Sequence, residues 1–413
     1  MSVRPSLSIM VTVSFLVVGN LIGVGILALP INTGLAGFIP ALAGMVLLGG
    51  AMFFSAMVLA REAVQARKET FNLPSLYGAY LGRTGKWVAI LANMLILYGL
   101  LVAYLTGGTT IIGNIFGLPE QFNWLVTLIF FAVLTGTALM KVDMILKYNS
   151  LIMICLFIFF GLMVGIGETN VESGALGYMD WRFLPYTAPI IVTAFHFHNI
   201  IPDVCTSLKW DLSAVWKTML GGMLIGFVMN AVWIQVGIGV LPLEGTENSL
   251  LAAFEQNLPA TVPMSAVIHS KLFLVASLVF SLLAIMTSYL ANGMGLLSFI
   301  RDMTENQFHF QNRSLAAALT FGPPLAIALL WPDVFLTAIN VVGGVGIVVL
   351  FGILPSLIFL RKNPGPGTRV LGLIMLVLFL VCLGLEIGQE AGLLHIHPEV
   401  EHWHPQLDSI PAP

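Results

Sequence analysis

Charged side chains are scarce. Only 9% of the 413 residues are Asp, Glu, Lys or Arg, against about 25% in an ordinary soluble domain. With 58% hydrophobic residues, a water-soluble fold would be left with apolar surface it could not cover. A lipid bilayer removes that difficulty, because hydrocarbon then solvates most of the exterior. Other absences narrow the function. The net charge is −3 and no run of basic residues occurs, which argues against a nucleic-acid partner. The three cysteines, Cys155, Cys205 and Cys382, fall in or beside apolar stretches. They imply neither a disulfide framework nor a metal site and read as small apolar fillers. There is no G-x-x-x-x-G-K-[ST] loop for an ATP-driven pump and no H-E-x-x-H. The apolar stretches hold no carboxylate cluster and no nucleophile with its base, so an enzyme is not expected. A channel would show a filter or a ring of charges, and neither is present. The first apolar run has no small-residue cleavage site after it and reads as a retained span.

What is present is a series of apolar runs long enough to cross a bilayer, which takes about 20 helical residues. They fall near 7–30, 37–60, 86–112, 122–140, 147–167, 185–207, 214–241, 268–300, 315–331, 334–360 and 370–390. The short link Trp331-Pro332-Asp333 divides two of them at a turn-forming pair. This layout sorts the 17 Lys and Arg residues sharply. Only Arg182 and Lys271 fall on one side; Arg4, Arg61, Arg67, Lys68, Arg83, Lys86, Lys141, Lys147 and the rest fall on the other. The positive-inside rule then puts the N-terminus in the cytoplasm and the C-terminus outside.

Two spans read poorly as continuous helix. The first contains Gly19-Asn20-Leu21-Ile22-Gly23-Val24-Gly25 near its middle, weak helix material. The sixth contains Phe195-His196-Phe197-His198-Asn199-Ile200-Ile201-Pro202. Pro202 cannot continue an incoming helix but suits the first turn of a new one, and Asn199 suits its cap. Glycines of this kind can serve only close helix packing. Finding both clusters at equal depth and five spans apart favours a binding site instead. Five is odd, so the two spans run in opposite directions, as an inverted five-helix repeat requires. A half-helix starting at mid-membrane offers unpaired N–H groups and a positive dipole end, suited to a carboxylate. Unwound carbonyls suit an ammonium group or a cation. A zwitterionic amino acid matches both, though other anions stay open.

Deep ionisable groups are functional candidates by default. His196 and His198 lie near the midplane and Asp203 just beyond. Either histidine could carry a proton or hydrogen-bond the broken backbone. Asp203 also has a bland account, as an acid in the first turn of a half-helix. Gly343, Gly344 and Gly346, followed by Pro355, mark a packing surface or a hinge in the tenth span. After Leu394 a polar tract with His395, His397, His402 and His404 reads as a disordered external tail.

GNLIGVGILALP (19–30) and FHFHNIIP (195–202) resemble the first-helix and sixth-helix motifs of the hydroxy and aromatic amino acid permeases, which include tyrosine- and tryptophan-specific members. The resemblance extends over essentially the whole chain in length and span count. It implies an all-α membrane protein with a LeuT-like 5+5 inverted repeat of about 11 transmembrane helices, the first and sixth unwound. The repeats would be 1–167 and 168–360, followed by an eleventh helix at 361–390 and the tail at 391–413. It implies uptake of an amino acid, commonly tyrosine or tryptophan, by H+ or Na+ symport across a bacterial inner membrane. Serine, threonine or another neutral amino acid is the alternative. No cofactor and no protein partner are implied. Substrate would meet Asn20, Gly23 and Gly25 on the first span, Phe195, Phe197 and His198 on the sixth, and Tyr104 on the third. Ala284, Thr287 and Ser288 resemble the eighth-span part of a LeuT-like sodium site, which carbonyls of Gly19 and Ile22 would complete. The rival reading has those hydroxyls bonding their own helix. Ion coupling would otherwise fall to His198 or Asp203. His196 stands where the family pattern has glycine, which leaves the substrate side-chain preference open.

Overall fold

The computed structural model describes residues 5–67, 73–139, 142–308 and 312–394, and among these it is helical with no strand. The histidines of the tail, Arg4, Lys68, Lys141 and the side chain of Lys147 lie outside the described residues. The chain opens with α1 (Leu7–Leu21) and α2 (Val24–Gly34), bent by 58° at the junction between them. Then come α3 (Phe38–Ala66), α4 (Leu73–Ile115), α5 (Asn123–Leu139) and α6 (Val142–Glu168). Two seven-residue helices follow, α7 (Ala188–Ala194) and α8 (Ile201–Ser207), on either side of an irregular stretch. After α9 (Leu212–Val240) the short α10 (Leu250–Glu255) and α11 (Thr261–Val267) lead to α12 (Lys271–Phe308) and α13 (Arg313–Leu330). α14 (Phe335–Val341) continues through a π-helix (Val342–Ile353) into α15 (Leu354–Lys362), and α16 is Pro366–Glu390.

Among the described residues, nine helices are long and apolar enough to span a membrane, or ten if the bent pair α1–α2 counts as one. Neither α7 nor α8 is long enough alone. The most apolar stretch of Phe335–Lys362 is 72% buried within the protein, whereas that of α16 is 22% buried. Exposed Ile129, Val133, Ile154, Ile158, Ile374 and Val377 on α5, α6 and α16 therefore form a lipid-facing periphery around an inner group of helices. Start signals follow ordinary capping chemistry. Asp211 accepts from Ser213 and Ala214 N–H at 2.9 and 3.2 Å, and Asn312 accepts from Ser314 and Leu315 N–H at 3.0 and 3.1 Å. Gly82, at φ 72°, lets an extra helical stretch at 73–81 turn into the long part of α4.

Inside, α1 and α2 lie against α9. A Cβ at Gly226 would come within 2.5 Å of Leu21, so glycine there permits close approach of α1. Pro30 has no N–H to give the carbonyl of Ile26, four residues earlier. The indole of Trp233, wholly buried, donates to that carbonyl at 2.8 Å. Gly237, one turn on from Trp233, makes room for the proline ring, which a Cβ would meet at 2.3 Å. The next carbonyl, Leu27, accepts from Ala260 N–H at 2.8 Å, so the segment entering α11 is seated on α2.

The two ends of the bundle differ. At the end where Lys and Arg gather, Lys362 binds Glu62 at 2.7 Å, Gln65 at 2.9 Å and the Tyr80 hydroxyl at 3.2 Å. Tyr80 in turn donates to Glu62 at 2.6 Å, so α3, the start of α4 and α15 are tied together. At the opposite end Asp180 N–H donates to Ala36 O at 2.9 Å. The Arg182 guanidinium, 2.6 Å from the Asp180 carboxylate, holds that carboxyl below its usual range.

Trp233→Phe should leave the Ile26 carbonyl buried without a donor. We expect a loss of roughly 1–3 kcal/mol, read as a lower thermal unfolding midpoint of the detergent-solubilised protein. An unchanged midpoint would mean that this bond contributes little.

Candidate functional site

The interruption between α1 and α2 is set by their hydrogen-bond ladders. The last bond of α1 runs from Ile22 N–H to Val18 O at 3.0 Å, and Ile26 N–H donates to Gly23 O at 3.2 Å at the start of α2. Ile22 (φ −86°, ψ 73°) and Gly23 (φ −116°, ψ −159°) are not helical. The N–H groups of Gly23 and Gly25 thus sit at the first turn of an 11-residue helix, where no preceding carbonyl closes on them. In the second interrupted segment, Phe195 (φ −103°, ψ 16°) and Phe197 (φ −139°, ψ 15°) separate α7 from α8.

The two interruptions meet. A Cβ on Gly25 would stand 3.4 Å from Thr193 and 3.5 Å from the backbone of Ala194, at the end of α7. On the other side, a Cβ on Gly23 would stand 3.5 Å from the Ser288 hydroxyl of α12. Ser288 is within hydrogen-bonding reach of Tyr104 on α4. Asn292, one turn beyond Ser288, donates to the Tyr104 hydroxyl at 3.0 Å and to Ser288 O at 2.9 Å. The Tyr104 ring meets Tyr289 edge-on at 6.4 Å, and the Tyr289 hydroxyl shares a 2.7 Å hydrogen bond with Thr135 on α5. A polar group of Ser288, Tyr104 and Asn292 thus faces the unpaired peptides of α2, with aromatic rings behind it. Burial gives this place a direction. Residues 25–34 are all buried, while Asn20, Gly23, Ser288 and Asn292 keep partial exposure. The partly exposed positions lie at the break itself, and α2 beyond it is covered.

Not every expected site residue gathers here. Phe195 is fully buried against Phe227 of α9 and Gly49 of α3, turned into the bundle. Phe197 is fully buried beside His198. A Cβ on Gly19 would run into Met153 of α6 at 2.4 Å. Ile22 and Ala284 are buried, and Thr287 donates to its own helix at Leu283 O (2.9 Å) and Ala284 O (3.1 Å). The Thr287 hydroxyl hydrogen is therefore spent along α12. Asp203 is exposed in the first turn of α8.

His198 faces α3 and the π-helix. Its Nε2 lies 2.7 Å from Ser55 Oγ, and Ser55 also donates to the Phe351 carbonyl. A serine hydroxyl has one hydrogen and the carbonyl can only accept. Nε2 therefore carries the proton, the Met52 backbone also lies within hydrogen-bonding reach of the ring, and Nδ1 is buried without a partner among the described residues. A neutral ring with this tautomer braces the interrupted segment against α3. His196 stacks on it with ring centroids 5.9 Å apart, and both lie 4.9 Å from the Phe351 ring.

Asn292 and Thr193 were missed from sequence. Asn292 carries a readable signal, a polar residue four positions after Ser288 on one helical face. Thr193 is placed by packing alone. Its hydroxyl donates to Pro189 O, and a Cβ on Gly343 would crowd both. The glycines of the tenth span do separate work: Gly343 admits α7, Gly346 admits Ile96 of α4, and Gly344 admits Glu386 of α16.

Broken helices meeting within an all-helical membrane bundle define a LeuT-like transporter fold. A manganese transporter of Eremococcus coleocola has that same fold: its crystal structure superposes with a TM-score of 0.61 over 96% of this chain and 90% of its own, at 13% identity. The tryptophan/tyrosine permease family matches residues 6–388, and the chain belongs to that family. It is similar to tyrosine-specific transport system 1 of Haemophilus influenzae, 29% identical over 80% of this chain and 82% of the relative. It is also similar to a tryptophan-specific transport protein of Pseudomonas aeruginosa, 26% identical over 80% and 81% respectively. The protein is thus a multi-pass membrane transporter, not an enzyme.

If His198 acts as a brace, Ser55→Ala should cost about 1 kcal/mol by removing the Ser55 acceptor of Nε2–H. It should also leave the pH profile of uptake per folded molecule unchanged. A shifted profile would give His198 a part in proton handling.

Proposed function

We propose that the protein imports an aromatic amino acid, tyrosine or tryptophan, by cation symport with alternating access. The observation that carries this reading is the opening at Gly23–Gly25. There the unpaired N–H groups of α2 lie opposite Ser288, Tyr104 and Asn292 and against the end of α7. The start of α2 suits the substrate carboxylate by its N–H groups and dipole. Carbonyls ending α1 and α7 suit the ammonium group. Tyr104 and Tyr289 supply a polar-edged aromatic wall for a side-chain ring. The tyrosine- and tryptophan-specific relatives agree with this choice.

Taken together, α7 and α8 form one interrupted span, so the chain has eleven. Residues 1–167 and 168–360 are then two inverted repeats, with α16 added. Clustering of Lys and Arg at one end supports a basic end in the cytoplasm of a bacterial inner membrane, the N-terminus with it and the C-terminus in the periplasm. The present arrangement is then inward-facing. The segment entering α11 closes the periplasmic side by its bond to Leu27. Alternating access is a rocking of α1–α3 and α7–α9 against α4, α5, α12 and α13.

Purified protein in liposomes should take up labelled tyrosine or tryptophan saturably under an imposed proton or sodium gradient, with excess serine or glutamine competing poorly. Gly23→Leu and Gly25→Leu should abolish that uptake while the protein remains in the membrane. Gly23→Ala, whose Cβ fits at 3.5 Å from Ser288, should retain part of it. Full activity in both leucine variants would remove the site, and strong competition by serine would reassign the substrate.

A further inference from the structure

Glu386 stands apart from the site just described. It lies on α16, one turn from the end that carries Glu390, and is 1% exposed. Among the described residues, neither of its carboxyl oxygens has a hydrogen-bond partner. Its side chain runs across the π-helix: a Cβ on Gly344 would meet Glu386 Cγ, Cβ and Cδ at 2.5–2.8 Å. Among the described residues, no cation faces it from the packed elements. The π-helix and α7 contain no titratable residue, and α15 has only Arg361 and Lys362, at the opposite, basic end. The stretch Trp181–Thr187 brings Arg182 and Tyr186, with Arg182 bridged to Asp180. On α16 itself Cys382 lies one turn before, Glu390 one turn after, and Arg369 at the far end.

An ionised carboxylate in such a place would bear its full desolvation cost without a donor or counter-charge. The packing seen here accommodates the neutral acid. From it we infer that Glu386 is a proton-binding site, taking its proton from water and holding it while α16 is closed over the π-helix. The site has a mechanical route to the substrate opening. Gly344 touches Glu386. Its neighbour Gly343 is pressed against Pro189 O and Thr193 of α7, and α7 packs on α2, where a Cβ on Gly25 would reach Thr193 at 3.4 Å. Loss of the proton calls for water at the carboxylate, so Gly344 must withdraw from α16. That movement shifts α7 at its contact with α2. This inference rests on the symport reading above and makes the coupling ion a proton.

Two measurements test it. Infrared difference spectra between acidic and alkaline samples should show a protonated carboxylic C=O band in the native protein. The band should be absent in Glu386→Gln. In liposomes, a pH gradient of one unit, outside acidic, corresponds to about tenfold accumulation of substrate for one proton carried. Glu386→Gln should fall to about onefold yet keep exchanging labelled for unlabelled tyrosine, because exchange needs no net proton movement. Glu386→Asp should keep part of the accumulation. Gradient-driven accumulation by Glu386→Gln equal to the native protein, or an unchanged carboxylic band, would overturn the inference. Native protein that exchanges tyrosine but ignores a pH gradient would overturn it as well. Absence of tyrosine and tryptophan exchange in the native protein would instead overturn the substrate reading.

Discussion

A peptide group inside a bilayer has to be hydrogen-bonded within the protein, because lipid offers it nothing. The interior of this protein follows from where that demand is met and where it is left open. Pro30 deprives Ile26 O of its helical donor, and Trp233 supplies another. Leu27 O is taken up by Ala260. At the break the N–H groups of Gly23 and Gly25 have no such substitute among the described residues, and Gly23 lies beside Ser288, which reaches Tyr104 and Asn292. On the function proposed above, a solute bringing its own charged ends completes that set.

The surroundings are arranged to keep the break in place. Small residues let the helices close on it: Gly226 admits Leu21, Gly237 admits Pro30, and Gly343 admits α7. The second interrupted segment is steadied from behind by the Ser55–His198 bond and by the rings of His196 and Phe351. Long helices that are exposed on one side, such as α5, α6 and α16, separate this interior from lipid. The ties among Glu62, Tyr80 and Lys362 restrain α3 and α15 at the basic end. Opening and closing therefore involve few strong polar contacts, and mostly the sliding of apolar and glycine surfaces.

Sequence made the larger features legible because each leaves a local trace. Long apolar runs mark the spans. Gly19 to Gly25 and Phe195 to Pro202 mark the interruptions, since glycine and proline act on the backbone where they stand. Relations between distant segments leave no such trace. The pairing of Trp233 with Ile26 depends on α9 crossing α2 at one height. Phe195 and Phe197 were expected at the substrate, yet Phe195 packs into α3 and α9. One-residue rotations at an irregular turn decide where such rings point, and no periodicity governs them. Thr287 likewise resembled a cation ligand by spacing, while its hydroxyl bonds along its own helix. Glu386 was passed over in the most apolar of the late spans, where only its burial against Gly344 gives it significance.

The central claim is that an amino acid occupies the gap between α1 and α2 by binding main-chain groups. The most direct measurement is an electron cryomicroscopy structure of the protein saturated with tryptophan. We expect density for the substrate carboxylate at the N–H groups of Gly23 and Gly25, with the indole beside Tyr104. Tryptophan bound elsewhere, or a continuous helix through residues 21–25, would contradict it.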